Sequence, residues 1–250
     1  MPRKHDAAMT TAPTLVDVAG RARVSTATVS RTLNSEVTRA RVMAAVEALG
    51  YAPNFGARVM AAKRTNTFGA IIPTMENAIF ARGLQAFQEE LGQNGITLLV
   101  ASSSYDPALE EAQIRALVAR GADALLLIGH DRTEAAYDLL DRRRMPHLAA
   151  WVHDPASPRL SIGFDNRAAM RALAAKVLEL GHRRLATITA PRAGNDRARA
   201  RFEGIGDAMR AQGLDASGLA VAEMAYSIEN GAAAFRQLIA RPTRPTAVLC

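Results

Sequence analysis

Residues 14–34, TLVDVAGRARVSTATVSRTLN, carry the side chains with the clearest chemistry. Leu15, Val18 and Ala19, then Val24, Val29 and Leu33, recur at helical spacing, which predicts two short helices joined by a tight turn. Ser25 stands where the second helix needs an N-cap, its hydroxyl accepting one of the free backbone N–H groups. That places Thr26, Ala27, Thr28, Ser30 and Arg31 on or near an exposed surface at the start of the second helix. In a helix-turn-helix this end of the helix enters the DNA major groove. There an arginine fork suits the O6/N7 edge of guanine, and short Thr and Ala side chains permit close approach and methyl contact. A plain helical hairpin with a solvated polar face shows the same spacing, so spacing alone leaves both readings open.

Other chemistries find no comparable constellation. His130, His147, His153 and His182 show no paired ligand spacing, and the single cysteine is the final residue, Cys250. No G-x-G-x-x-G, P-loop or G-x-S-x-G string occurs. No metal, no cofactor and no enzymatic activity is therefore expected. Residues 1–13 are charged without an apolar stretch, and no apolar run reaches membrane-spanning length, so a cytoplasmic protein with no membrane partner is expected.

The elements that must hold these residues separate by charge and rhythm. The net charge is +7, and residues 1–65 carry 10 Lys and Arg against 4 Asp and Glu. A local basic excess is the electrostatic footprint of a nucleic-acid binder, although an uneven solubilising surface looks the same. Residues 1–13 read as a flexible arm. Residues 51–67 contain Pro53 and Gly56 and then turn polar, as a linker does. From Phe68 onward, short apolar runs alternate with helix-length amphipathic stretches. FGAIIP, ITLLVA, ADALLLIG, HLAAW, LSIGF, RLATITA, LAVAEM and TAVLC are the expected strands. The expected helices run to about Asn94, then about 107–120, 133–143, 166–181, 197–212 and 229–240. That order predicts parallel sheets covered by helices on both faces. Gly95, Gly121 and Gly181 each follow a helical stretch, where a glycine ends a helix.

In the loops after strands, where open α/β sheets bind ligands, several side chains could touch a small molecule. Asn77 suits a hydroxyl, Phe80 an apolar or sugar face, and Trp151 a pyranose or similar ring; Asp165 directly follows LSIGF. Each also has a structural reading: Phe80 and Trp151 as core residues, Asp165 as a helix cap.

The string D-V-A-x-x-A-x-V-S-x-x-T-V-S-R-x-L-N (17–34) resembles the headpiece signature of the LacI family, which includes the lac and purine repressors. T-R-x-R-V (38–42) and A-x-x-x-L-G-Y-x-P-N (45–54) follow, and the resemblance continues in TFGAIIP, IGFDNRAA, ELGHRRLA, R-x-x-G (201–204) and PTAVLC. It implies a helix-turn-helix headpiece over 14–53, a hinge helix and linker over 54–67, and a periplasmic-binding-protein-like sensor. The sensor would have subdomains at 68–165 and 166–250. The implied function is that of a transcription regulator, a repressor by family precedent, acting as a homodimer on operator DNA. Its effector would be carbohydrate-like: a sugar, a sugar acid or a nucleobase.

By position, the resemblance makes Thr26, Ala27 and Arg31 base readers. It makes Ser25, Thr28, Ser30, Asn34, Tyr51 and Asn54 phosphate contacts. Ala57 and Met60 fall in the hinge, with Met60 as a minor-groove wedge; a linker or core methionine is the other reading of Met60. Arg201 aligns with an effector-anchoring arginine and Tyr226 with an aromatic ligand wall, while Arg201 can equally be one more surface arginine.

Three departures stand out. Arg23 occupies a turn position that the family gives to glycine, the loop SEV (35–37) is short, and the resemblance stops at TAVLC where relatives continue. The C-terminal subdomain is thus expected to be partial and the chain truncated. The competing readings are a solute-binding module without DNA function and a regulator disabled by truncation.

Overall fold

The computed structural model describes residues 12–31, 36–52 and 64–250, in two compact units split between Thr65 and Asn66. The calls on Asn34, Asn54, Ala57 and Met60 lie outside the described residues, as do Leu33 and Ser35.

The first unit contains α1 (Leu15–Ala22), α2 (Thr26–Arg31) and α3 (Glu36–Leu49). Thr14 and Asp17 open α1 with a reciprocal capping box: the Thr14 N–H donates to the Asp17 carboxylate at 2.7 Å, and the Asp17 N–H to the Thr14 hydroxyl. Val18, Ala19 and Ala22 of α1 close on Val29 of α2 and on Val42 and Ala45 of α3, and Tyr51 packs at the rim. This is the inward face expected from the helical spacing.

Arg23 ends α1 in the left-handed region at φ 52°, and the Val24 N–H reaches the Ala19 carbonyl at 3.0 Å, closing a Schellman-type cap. The Arg41 guanidinium donates to the carbonyls of Ala22 and Arg23, tying α3 to this turn. A left-handed residue with a Cβ costs on the order of 1 kcal/mol. Arg23→Gly is therefore expected to stabilise the unit by about 1 kcal/mol, read as a higher midpoint in urea unfolding of the headpiece signal.

The second unit is an α/β body of two lobes. Its first lobe runs β1 (Thr67–Ile72), α4 (Ala78–Gln93), β2 (Thr97–Ser102), α5 (Pro107–Ala119), β3 (Ala124–Ile128), α6 (Glu134–Arg142), β4 (His147–Ala150) and β5 (Ser161–Ile162). The strands form one parallel sheet in the order β2-β1-β3-β4-β5. The period-two alternation of a strand sends Ile71, Leu125 and Leu127 to the face covered by α5 and α6. Ala70, Ile72 and Ile128 go to the face covered by α4.

The second lobe runs α7 (Asn166–Glu179), β6 (Leu185–Thr189), α8 (Asp196–Ala211), β7 (Ala220–Glu223), α9 (Ile228–Ile239) and β8 (Ala247–Leu249). Its parallel sheet has the order β7-β6-β8. α7 and α8 cover one face through Met170, Ala174, Ile205 and Met209, while Ala234 and Leu238 of α9 cover the other. Gly95, Gly121 and Gly181 take φ of 67°, 84° and 94°, as helix-ending glycines do.

The fifth strand is shorter than LSIGF suggested. Only Ser161 and Ile162 pair, with Ala149 and Ala150. Trp151 turns out of β4 at φ 59°, and a Cβ on Gly163 would stand 2.5 Å from the Val152 nitrogen, so the two chains diverge there.

α7 and α8 are also joined by charge. Arg167 donates to the Asp207 carboxylate from Nε at 2.6 Å and Nη2 at 3.1 Å, and Arg210 adds a third bond at 2.6 Å. These donors hold the Asp207 carboxyl down at about 2, against an ordinary value of 3.8. A lowered folded-state pKa stabilises the fold above 3.8, and that contribution is lost as pH falls toward about 2. Asp207→Asn is accordingly expected to be less stable than the parent at neutral pH. Acid titrations monitored by circular dichroism should show the gap closing between these two values.

Among the described residues, no helix is long and apolar enough to cross a membrane.

Candidate DNA-reading surface and ligand cleft

In the first unit, the start of α2 is fixed by Ser25, whose Oγ accepts the Thr28 N–H at 3.1 Å and lies 2.8 Å from the Thr28 hydroxyl. Thr26 and Ala27 are exposed on the first turn, while Val29 is buried beneath them. Ser30 and Arg31 complete α2, and their side chains lie outside the described set. Tyr51 follows α3 with its N–H on the Val46 carbonyl at 3.0 Å, half-buried against the helical core. The short polar side chains expected to face DNA thus stand on one exposed helix start, held by a cap beneath and an apolar anchor behind.

In the second unit, the two lobes meet along the carboxyl ends of their strands. Asp196 opens α8, and its carboxylate accepts the His130 N–H from the loop after β3 as well as the N–H and Nη1 of Arg197, the last at 2.9 Å. Asn195 is 2 % exposed and caps the same helix through the Ala198 N–H at 3.2 Å. Arg199 reaches Asp131 of the first lobe at 2.8 Å, and the rings of Tyr105 and Tyr226 approach across the cleft to 5.2 Å.

Gly129, at φ 73°, makes this contact possible, because a Cβ there would overlap the Arg197 guanidinium and the Asp196 carboxylate. The loop carrying it is braced from below. Arg132 bonds the Tyr137 hydroxyl at 2.7 Å and the Gly129 carbonyl at 2.9 Å and pairs with Glu110 at 3.4 Å. Burial pushes the Glu110 carboxyl up against the pull of Arg132, and burial also pushes the Tyr105 phenol up, keeping it protonated.

Between the lobes, beside Tyr105, Glu110 and Arg197, the remaining cavity is about 20 Å³, enough for little more than a water. A larger cavity of about 420 Å³ lies in the second lobe at the ends of β6 and β7, and Arg201 and Tyr226 both line it. The Arg201 guanidinium donates to Asn166 Oδ1 at 2.8 Å and to the Tyr226 hydroxyl at 3.3 Å.

Residues 14–54 match the family described as bacterial regulatory proteins, lacI family. Residues 65–250 match the periplasmic binding proteins and sugar binding domain of the LacI family. The chain belongs to the LacI family. The purine repressor PurR of Klebsiella pneumoniae is 29% identical over 246 residues, which is 95% of this chain and 71% of the relative. The regulator GntR of Pseudomonas aeruginosa is 32% identical over 91% of this chain and 68% of its own length. Among solved structures, a LacI-family regulator from Silicibacter pomeroyi superposes with a TM-score of 0.83 at 28% identity, covering 94% of this chain and 72% of that one. The lac repressor dimer bound to operator and an anti-inducer shares the fold at a TM-score of 0.81 and 24% identity, over 95% of this chain and 73% of that one.

Within this LacI-family body, the residues nominated from sequence separate. Arg201 and Tyr226 come together at the large cavity. Asn77 caps α4 through the Ile79 N–H at 2.9 Å, and Asp165 caps α7 through the Ala168 N–H at 2.9 Å. Phe80 is 6 % exposed and meets Trp151 edge-on at 5.3 Å, with the indole laid over Gly83 so closely that a Cβ there would sit 2.6 Å from it. These four take structural roles, as their alternative readings allowed.

Asn166, Asp196, Arg197 and Tyr105 were not foreseen. Asn166 is 3 % exposed and donates to the carbonyls of Trp151 and Phe164 while receiving Arg201. Its only advance signal was a buried-type position one residue past a helix cap.

Proposed function

We propose that this chain is a sequence-specific DNA-binding transcription regulator, a repressor acting as a homodimer in the cytoplasm, whose DNA affinity is set by a small molecule. The observation that carries this reading is one chain holding both an exposed α2 start on a helical headpiece and a two-lobed α/β body with a ligand-sized cavity at its strand ends. Family membership and the described relatives, all transcription regulators, support it.

Thr26, Ala27 and Arg31 read base edges in this scheme. Ser25, Thr28, Ser30, Asn34, Tyr51 and Asn54 fix register on phosphates, and Ala57 and Met60 act in the hinge. Arg201 and Tyr226 bind the effector. A ligand with unequal affinity for two lobe arrangements shifts their populations, and so the fraction of chain competent for DNA. The reaction class is binding, not turnover.

Selection of fragmented genomic DNA by the purified chain at near-physiological salt tests the reading. Enrichment of one short, near-palindromic sequence is expected; uniform recovery of all fragments contradicts it. On the selected duplex, Arg31→Ala is expected to cost about 1–3 kcal/mol, roughly 10- to 100-fold in affinity, and to relax preference at one base position. Substituting a phosphate contact such as Thr28 weakens all sequences alike, because such a contact carries no base information.

A further inference from the structure

We infer that the effector is a small aromatic or otherwise apolar carboxylate, seated in the second-lobe cavity with its carboxylate on Arg201; this rests on the regulator reading above.

The first ground is the state of Arg201. Its neighbours Arg192, Arg197 and Arg199 each pair with a carboxylate, Glu223, Asp196 and Asp131 respectively. Arg201 has no such pair among the described residues. It is held by two neutral oxygens, Asn166 Oδ1 and the Tyr226 hydroxyl. Those two bonds aim the guanidinium without neutralising it. Because Tyr226 accepts from Arg201, its own O–H is left to donate toward the same place. A planar fork plus a phenol proton matches the two oxygens of a carboxylate.

The second ground is the wall. Met170, Ile188, Phe202, Met224 and Phe235 supply the body of the cavity. Arg192 lies over the Phe202 ring at 4.1 Å and pins that side of it. No Asp, Glu, Asn or Gln lines the cavity among the described residues. A polyol brings several hydroxyl donors that need acceptors, and an unmatched buried donor counts against binding. The hydroxyls present are partly spent: Thr189 Oγ1 donates to the Ala190 carbonyl, and Ser227 Oγ caps α9 through Asn230. Asn77, Asp165 and Trp151, the residues that suited a sugar, are engaged in caps and core. The cavity's volume of about 420 Å³ accommodates a one- or two-ring acid.

The test is calorimetric titration of the full chain with phenylacetate, 3-phenylpropionate and indole-3-acetate, each beside its own amide, and with glucose and gluconate. At least one aromatic acid is expected to bind, with its amide weaker by roughly 10- to 100-fold, the range for a charge-assisted bond. Arg201→Gln is expected to lose that discrimination and Arg201→Lys to keep part of it; the acid–amide comparison on the unaltered chain stands even if a variant fails to fold. The inference is overturned if none of the three acids binds at millimolar concentration, if amide and acid bind equally, or if glucose or gluconate binds more tightly than all three. An acid that binds yet leaves affinity for the selected duplex unchanged supports the ligand class and sinks the regulator reading. A chain that selects DNA but refuses every aromatic acid does the reverse.

Discussion

Gly204→Val is expected to remove most of the stability of the second lobe. Gly204 sits on α8 where that helix crosses α7, and a Cβ there would overlap the Arg167 carbonyl and stand 3.0 Å from the Arg171 nitrogen. Both obstacles are backbone, which cannot rotate aside as a side-chain tip would. The two helices would have to separate, opening the cluster of Met170, Ala174, Ile205 and Met209 that they share. Forcing extra volume into such a contact costs typically about 1–3 kcal/mol and occasionally more. The valine variant belongs at the upper end, with Gly204→Ala about half as costly. Gly92→Ala is the control: it lies in α4 with nothing within 4 Å of the added methyl, and helix propensity predicts a gain of up to about 1 kcal/mol. Urea midpoints for the variants distinguish a contact effect from a general intolerance of glycine replacement; equal losses at 92 and 204 would refute the packing argument.

Asp196→Ala is the second large effect. The substitution removes the acceptor that joins α8 to the His130 N–H of the other lobe, and it strands Arg197, which is 8 % exposed and held by that carboxylate. Removing one partner of a buried pair costs about 3–5 kcal/mol, chiefly because the remaining charge stays buried without compensation. The double variant Asp196→Ala/Arg197→Met is therefore expected to be more stable than Asp196→Ala alone, since methionine fills the space without a charge. If the double variant is no better than the single one, the loss lies in the bridge to His130 and not in the stranded cation. Because the bridge spans the lobes, either variant should also change how the lobes respond to ligand, visible as a different change in scattering radius on titration.

The sequence carried the order of elements well because parallel strands covered on both faces are continuous apolar runs, and each helix between them keeps its own period. α4 through α9 fall within a residue or two of where periodicity and the glycine stops put them. The fifth strand was overread because Leu160, Ile162 and Phe164 look like a core run. At this sheet edge all three are exposed, and pairing to only one neighbour ends at Ile162. The turn at Arg23 was readable as a left-handed position, since the residue types on either side required it.

The ligand site was readable only in part. Arg201 and Tyr226 could be placed by resemblance. Which lobe-spanning groups meet them depends on contacts between residues far apart in the chain, such as Asp131 with Arg199 and Asn166 with Arg201. Local patterning holds no trace of such pairs. Asn77 and Asp165 show the opposite problem: a polar residue just before a helix has the same local signature whether it caps the helix or faces a ligand. The structure gives their carboxamide and carboxylate oxygens to backbone N–H groups.

The central claim is that α2 reads sequence. The most direct measurement is competition between the selected duplex and a scrambled duplex of equal length and composition, both at about 150 mM salt, where non-specific phosphate contacts are weakened alike. The account predicts that the selected duplex binds at least roughly 1,000-fold more tightly, the lower end for specific recognition. A ratio near one would contradict it and leave the headpiece as a basic surface without sequence readout.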